Sequence, residues 1–223
     1  MPRQARHENN FKSMNFKQKF YDITNLVQQE FNRNADKYGD KLQCRRGCSK
    51  CCSQIFNITL LDAYIIQEHI KSLPPERQAV LKSKAKEYLL NKHLPLKKEV
   101  AGLSRTSEAE RGGFGLPCPA LGAEGECTIY EARPVICRRF GIPIYDYKNP
   151  GNLYACELNF SQGEEIIDAQ LVPNQTAIGM KWDELKEEYL KALPLTKGEY
   201  PKWEGVEKEK GYTTIAEAIA NVM

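Results

Sequence analysis

Eight cysteines carry whatever chemistry this chain performs. Four fall within nine residues, CRRGCSKCC, at Cys44, Cys48, Cys51 and Cys52, and four follow at Cys118, Cys127, Cys137 and Cys156. A cysteine can form a disulfide, pack as a small inert hydrophobe, or act as a thiolate that attacks or ligates a metal. An even number suits disulfides, but stable bridges need an oxidising compartment. The first residues, MPRQARHENNFKSMN, are polar and basic. They lack the apolar core of a secretory signal, so a cytoplasmic location is expected. A Cys51–Cys52 bridge would also close a small strained ring. Inert packing fits poorly, because these residues sit among Arg, Gly, Ser, Lys and Pro rather than in apolar helices.

Metal ligation fits best. Cys48-x2-Cys51 is a two-thiolate hook whose tight turn lets both sulfurs reach one ion, about 2.3 Å away for zinc. Four further loop cysteines turn that weak motif into a thiolate-rich site. All eight are candidate metal ligands. Chain neighbours Cys51 and Cys52 are expected to project in different directions, so one ion takes both only if the loop bends sharply. Either the eight build two four-thiolate sites, or four ligate while the others support, resolve or react. Both segments are expected to contribute to one locus, stapling the N-terminal half to the middle and supplying folding energy. All-cysteine ligation suits zinc and iron–sulfur clusters alike. Cys118-Pro119 tips the balance slightly toward iron–sulfur. The three histidines, His7, His69 and His93, show no ligand spacing.

A metal held by four thiolates is anionic, and cations near it are favourable. Arg45, Arg46 and Lys50 interleave with the first cysteines, and Arg133, Arg138 and Arg139 surround Cys137. The last three are candidates for charge compensation or for holding an anionic substrate. Arg133 is equally well read as a helix-entry side chain paired with Glu131, and Tyr130 as a core residue or an outer support of the site.

The elements that position these residues are mainly helical. Phe16, Phe20, Ile23, Val27 and Phe31 recur at helical spacing and predict an amphipathic helix ending before Gly39. Residues 1–14 are read as a disordered tail, and 15–223 as a single metal-stapled domain with its core motif at 44–156. Thr59 is placed to cap a helix over LLDAYIIQEHIKSL, which Pro74-Pro75 stops. Pro75 starts the next helix, ERQAVLKSKAKEYLLNK. Residues 94–116 have no period and read as an exposed connection. Pro134 opens a short helix carrying Cys137; KWDELKEEYLKAL (181–193) and TIAEAIANVM are further helices. Strands are few, over Gln54–Ile58 and Ile142–Tyr147. The fold class is therefore mainly α with irregular cysteine-bearing loops.

Composition sets the outer limits. The 223 residues are 41% hydrophobic and 27% charged, enough for a core without disulfides. Mean hydropathy is -0.57. No apolar run approaches the roughly 18 residues of a membrane span, so no membrane partner is expected. A net charge of +3 is too mild to argue for nucleic acid.

CRRGCSKCC, followed by Cys118-Pro119 and by Cys127-x-Ile129-Tyr130-x-x-Arg133-Pro134-x-x-Cys137-Arg138-x-Phe140, resembles the YkgJ-type cysteine-cluster proteins, the CxxCxxCC zinc- or iron-chelating domain. The resemblance spans about 44–156. Three residues, not two, separate Cys44 from Cys48, which makes the role of Cys44 a departure from the pattern. The resemblance implies metal chelation. Relatives include flagellin lysine methylases, yet no strand here leads into a glycine-rich turn for a methyl donor. The expected function is a metal-chelating, redox-related protein holding an iron–sulfur cluster or zinc. The alternatives are a protein-modifying enzyme of the lysine methylase kind and a zinc-folded module that binds a protein partner.

Overall fold

The computed structural model describes residues 3–45, 47–91, 116–193 and 211–222, with side chains from residue 15 onward. Residues 94–115 of the connection expected over 94–116, together with Arg46 and His93, lie outside the described residues. The chain divides into two compact units, each assembled from two separate stretches: Met1–Arg45 with Val135–Pro194, and Arg46–Pro134 with Leu195–Met223.

The first unit is built on two long helices, α1 (Arg3–Tyr38) and α5 (Leu171–Ala192), with the short α4 (Val135–Arg139) against α1. The predicted stripe of α1 is buried at Phe16, Phe20, Ile23 and Val27. The helix starts at Arg3, within the stretch read as a disordered tail. Phe16 meets Tyr189 edge-on at 5.2 Å, Phe20 meets Trp182 at 6.0 Å, and Asn174 donates to Glu30 at 2.7 Å. Partners descend along α5 as they ascend along α1, so the two helices run antiparallel. α5 begins at Leu171 rather than near 181. Its buried face, Leu171, Gln175, Ile178, Trp182 and Leu185, keeps helical spacing, but a glutamine interrupts the apolar pattern. Pro173 is tolerated because it lies in the first turn. Gln175 is buried because its Oε1 accepts from Arg139 at 2.8 Å.

Gly39, at φ +54, ends α1, where a left-handed residue commonly stops a helix. Beyond it a small core of Tyr38, Leu42 and Ile142 is closed by Phe31, Phe160 and Ile166. Strands β2 (Ile144–Tyr145) and β3 (Leu153–Tyr154) form an antiparallel hairpin, with Ile144 opposite Tyr154.

The second unit packs α2 (Leu60–Lys71) and α6 (Ile215–Ala220) on a two-stranded antiparallel sheet of β1 (Asn57–Thr59) and β4 (Tyr212–Thr214), with α3 (Pro75–Asn91) against α6. Each strand runs directly into a helix through a threonine cap. Thr59 Oγ accepts from the Asp62 N–H while the Asp62 carboxylate accepts from the Thr59 N–H, and Thr214 with Glu217 repeats the arrangement. These capping boxes satisfy amide donors that a helix start otherwise leaves open. Ile58, Leu61, Ile65, Ile66, Ile70 and Ile219 are almost wholly buried, each contributing about 1.5–3 kcal/mol of hydrophobic stabilisation. Ile129 and Ala132 extend this core toward the second cysteine loop, where a 3-10 turn at Tyr130–Ala132 rests against α2. Tyr130 itself is 51% exposed, so the core role expected for it is corrected: Ile129 and Ala132 fill the core on either side.

Candidate metal centre

The second unit brings part of each cysteine segment together. Cys51 and Cys52 lie in a 3-10 turn over Lys50–Ser53, tightened by hydrogen bonds from Cys52 N–H to Ser49 O and from Gln54 N–H to Cys51 O. The second loop docks on this turn through its backbone, as the Cys118 N–H donates to the Cys52 carbonyl at 2.7 Å. That loop is closed in turn. Leu121 N–H donates to Cys118 O at 2.9 Å, Thr128 N–H to Ala120 O at 2.8 Å, and Leu121 bridges Cys127.

Two glycines allow the loops to approach. Gly47 and Gly125 adopt φ +88 and +81, angles that L-residues with a side chain rarely take. A Cβ on Gly125 would stand 3.0 Å from the Gly47 carbonyl oxygen. Backbone therefore meets backbone where a side chain would hold the loops apart.

The thiols of this unit act on one another. Cys51 and Cys52 act most strongly on each other, in opposite directions. The 3-10 turn over Lys50–Ser53 puts these two thiols close enough to influence each other's ionisation. Cys51 is lowered to about 6 by the Cys52 hydrogen bond and by Arg133, against the opposing cost of burial. Cys52 is raised by Cys51, by burial and by Cys118 and Cys127. Cys118 is raised to about 11, chiefly by burial and then by Cys127 and Cys51, while the Ala120 N–H and Lys84 favour its thiolate. The neighbouring sulfurs thus make Cys52 and Cys118 harder to ionise, which is an electrostatic cost a cation would relieve.

Arg133 hydrogen-bonds Cys51 and stabilises its thiolate, so this one of the three arginines stands at the cysteines of the second unit. Arg138 and Arg139 lie on α4 in the first unit, where Arg139 turns to Gln175 on α5. Burial lowers its pKa, and Asp183 and Asp146 oppose that shift. Cys48 is half-buried in the first loop.

The other three cysteines belong to the first unit. Cys137 is buried on α4. Cys44 lies against Gly141, where a Cβ would fall 2.5 Å from its sulfur. Buried Asn159 ties the local strands of chain together. It accepts from the Gln43 N–H at 2.8 Å, donates through Nδ2 to Gly141 O at 3.1 Å, and donates its own N–H to the Cys156 carbonyl at 2.8 Å.

No disulfide links any of the eight cysteines. Among the described residues, no three Cys, His, Asp or Glu side chains are already closed around one point as ligands. The donor set nonetheless fits a thiophilic metal: several sulfurs within one another's field, an amide donor on one and a guanidinium on another. Lys84 and Tyr88 of α3 escaped the sequence reading, since nothing distinguishes them there from the other polar residues of that helix. Asn159 likewise carries no motif.

The fold and these loops define a mainly helical, thiol-rich protein whose cysteines converge from distant parts of the chain. Residues 43–152, about half of the chain, match the model of the CxxCxxCC family, described as "Putative zinc- or iron-chelating domain". No curated protein and no solved structure matches it. No helix among the described residues is long and apolar enough to cross a membrane.

Proposed function

We propose that the protein chelates a metal through thiolates of its second unit, with Cys51, Cys52, Cys118 and Cys127 as the ligands best supported. The carrying observation is the docking of the two loops, Cys118 N–H on Cys52 O at 2.7 Å. It joins the two cysteine segments backbone to backbone. Cys48, Cys44, Cys137 and Cys156 are the remaining candidate ligands. An iron–sulfur cluster is favoured over zinc by the Cys118-Pro119 step; either would supply a thiolate-bound centre that also reinforces the fold. Arg133 compensates its negative charge at Cys51. Such a set of thiols persists in a reducing compartment such as the cytoplasm.

Anaerobic purification followed by visible absorption and elemental analysis tests this. A brown protein with stoichiometric iron and sulfide identifies a cluster, and a colourless one with stoichiometric zinc identifies a zinc site. Protein that retains no metal and takes up neither ion overturns the proposal. Serine substitutions at Cys51, Cys52, Cys118 and Cys127 should each release metal.

A second reading, a reactive thiolate at Cys51, is favoured by the Arg133 contact. It requires that Cys51→Ser keep the metal and the fold while abolishing rapid alkylation. Loss of metal in that variant removes this reading.

A further inference from the structure

One face of α3 is turned to the second cysteine loop. Leu81 and Ala85 are its buried residues, and the helix packs on α6. Lys84 and Tyr88, four residues apart and so on one side of the helix, adjoin that seam. Lys84 Nζ donates to the Leu121 carbonyl at 2.9 Å. Leu121 is itself fixed between both cysteines of its loop, donating to Cys118 O and bridging Cys127. The ammonium therefore stands on the turn that holds these two sulfurs. Tyr88 is half-buried within the field of the same sulfur.

We propose that Lys84 is a positioning and charge-compensating residue of the metal centre, paired in this role with Arg133. The inference rests on the ligand set proposed above. Four thiolates around a divalent ion, or around a cluster core of the same charge, leave two negative charges in a partly buried place. Arg133 at Cys51 and Lys84 at the Cys118–Cys127 turn bring one positive charge to each side of it. Outer cations of this kind lower the energy of the loaded anionic site without touching the metal. The simpler role, a brace that only satisfies the Leu121 carbonyl, makes different demands: it needs a donor but no charge.

Zinc affinity of the full chain, measured by chelator competition, separates the two roles. Lys84→Arg keeps donor and charge, Lys84→Gln keeps a donor alone, and Lys84→Met keeps neither. Lys84 is exposed, so the expected loss in Lys84→Gln and Lys84→Met is modest, about threefold at low salt. Lys84→Arg should match the wild type. At roughly 1 M salt, where screening acts within about 3 Å, the gap should close. Metal-free melting temperatures check the fold; should Lys84→Met unfold, the Gln and Arg variants carry the comparison. Equal affinities throughout, a loss that Lys84→Gln restores, or a loss unchanged at high salt each overturn the charge role. A wild-type chain that takes up no zinc or iron overturns the site and this inference with it, whereas a wild type that binds with no Lys84 effect overturns the inference alone.

Discussion

Replacing Gly125 by alanine attacks the contact that lets the two cysteine loops meet. Two costs add. The backbone there is at φ +81, where a side chain costs roughly 1–2 kcal/mol. The new methyl would also face the Gly47 carbonyl at 3.0 Å, and that neighbour is backbone, which yields little. Together they weaken loop pairing by about 2 kcal/mol. A metal-free chain can escape this strain by parting the loops, but a metal-bound one must hold them together. The penalty then falls on binding, up to about 30-fold in Kd. Gly163→Ala is the matched control, with φ +79, nothing within 4 Å of the added methyl, and a place in the first unit. It should lower the melting temperature through backbone strain and leave metal affinity unchanged. Chelator competition and thermal melting on both variants read the two effects. The reasoning is refuted if Gly125→Ala binds metal within about twofold of wild type, or if Gly163→Ala weakens binding as much.

Two further outcomes follow from the site. The Cys51 thiol lies near 6 in the fold against an ordinary 9.0, so its ionisation adds to folded-state stability as pH rises from 6 to 9, and above 9 the raised Cys52 thiol works against it. Arg133→Gln should move the pH midpoint of Cys51 alkylation in the metal-free protein upward, as read by mass spectrometry; an unmoved midpoint would show that Arg133 does not hold this thiolate. Asn159→Ala strips partners from the Gln43 N–H and the Gly141 carbonyl, which costs about 2–3 kcal/mol if both stay buried. Urea unfolding should show that loss with metal content unchanged, and a metal-free variant would instead tie the cysteines of the first unit to the centre.

Much of the helical scaffold was legible in the sequence. Thr59 and Pro75 open helices where their side chains and backbone restrictions say they should, and the α1 stripe from Phe16 is the buried one. The start of α5 was not legible, because Gln175 occupies a core position and its partner Arg139 lies far back in the chain. Short strands such as β4 were missed for a related reason. Their existence depends on pairing with β1, and three residues carry too little periodicity of their own.

The sequence alone determined that thiols are the chemistry, since side-chain type and loop context require no knowledge of the fold. It also placed the cationic arginines near them in the chain. Only the tertiary structure decided which cysteines share a unit. Cys51, Cys52, Cys118 and Cys127 belong to one unit, while Cys44, Cys137 and Cys156 belong to the other. It likewise assigned Arg133 and Arg139 to different units and brought in Lys84. The physical reason is that spacing along a chain fixes only local geometry. The distance from Cys52 to Cys118 is set by hydrogen bonds and glycine angles in loops whose partners are remote in sequence.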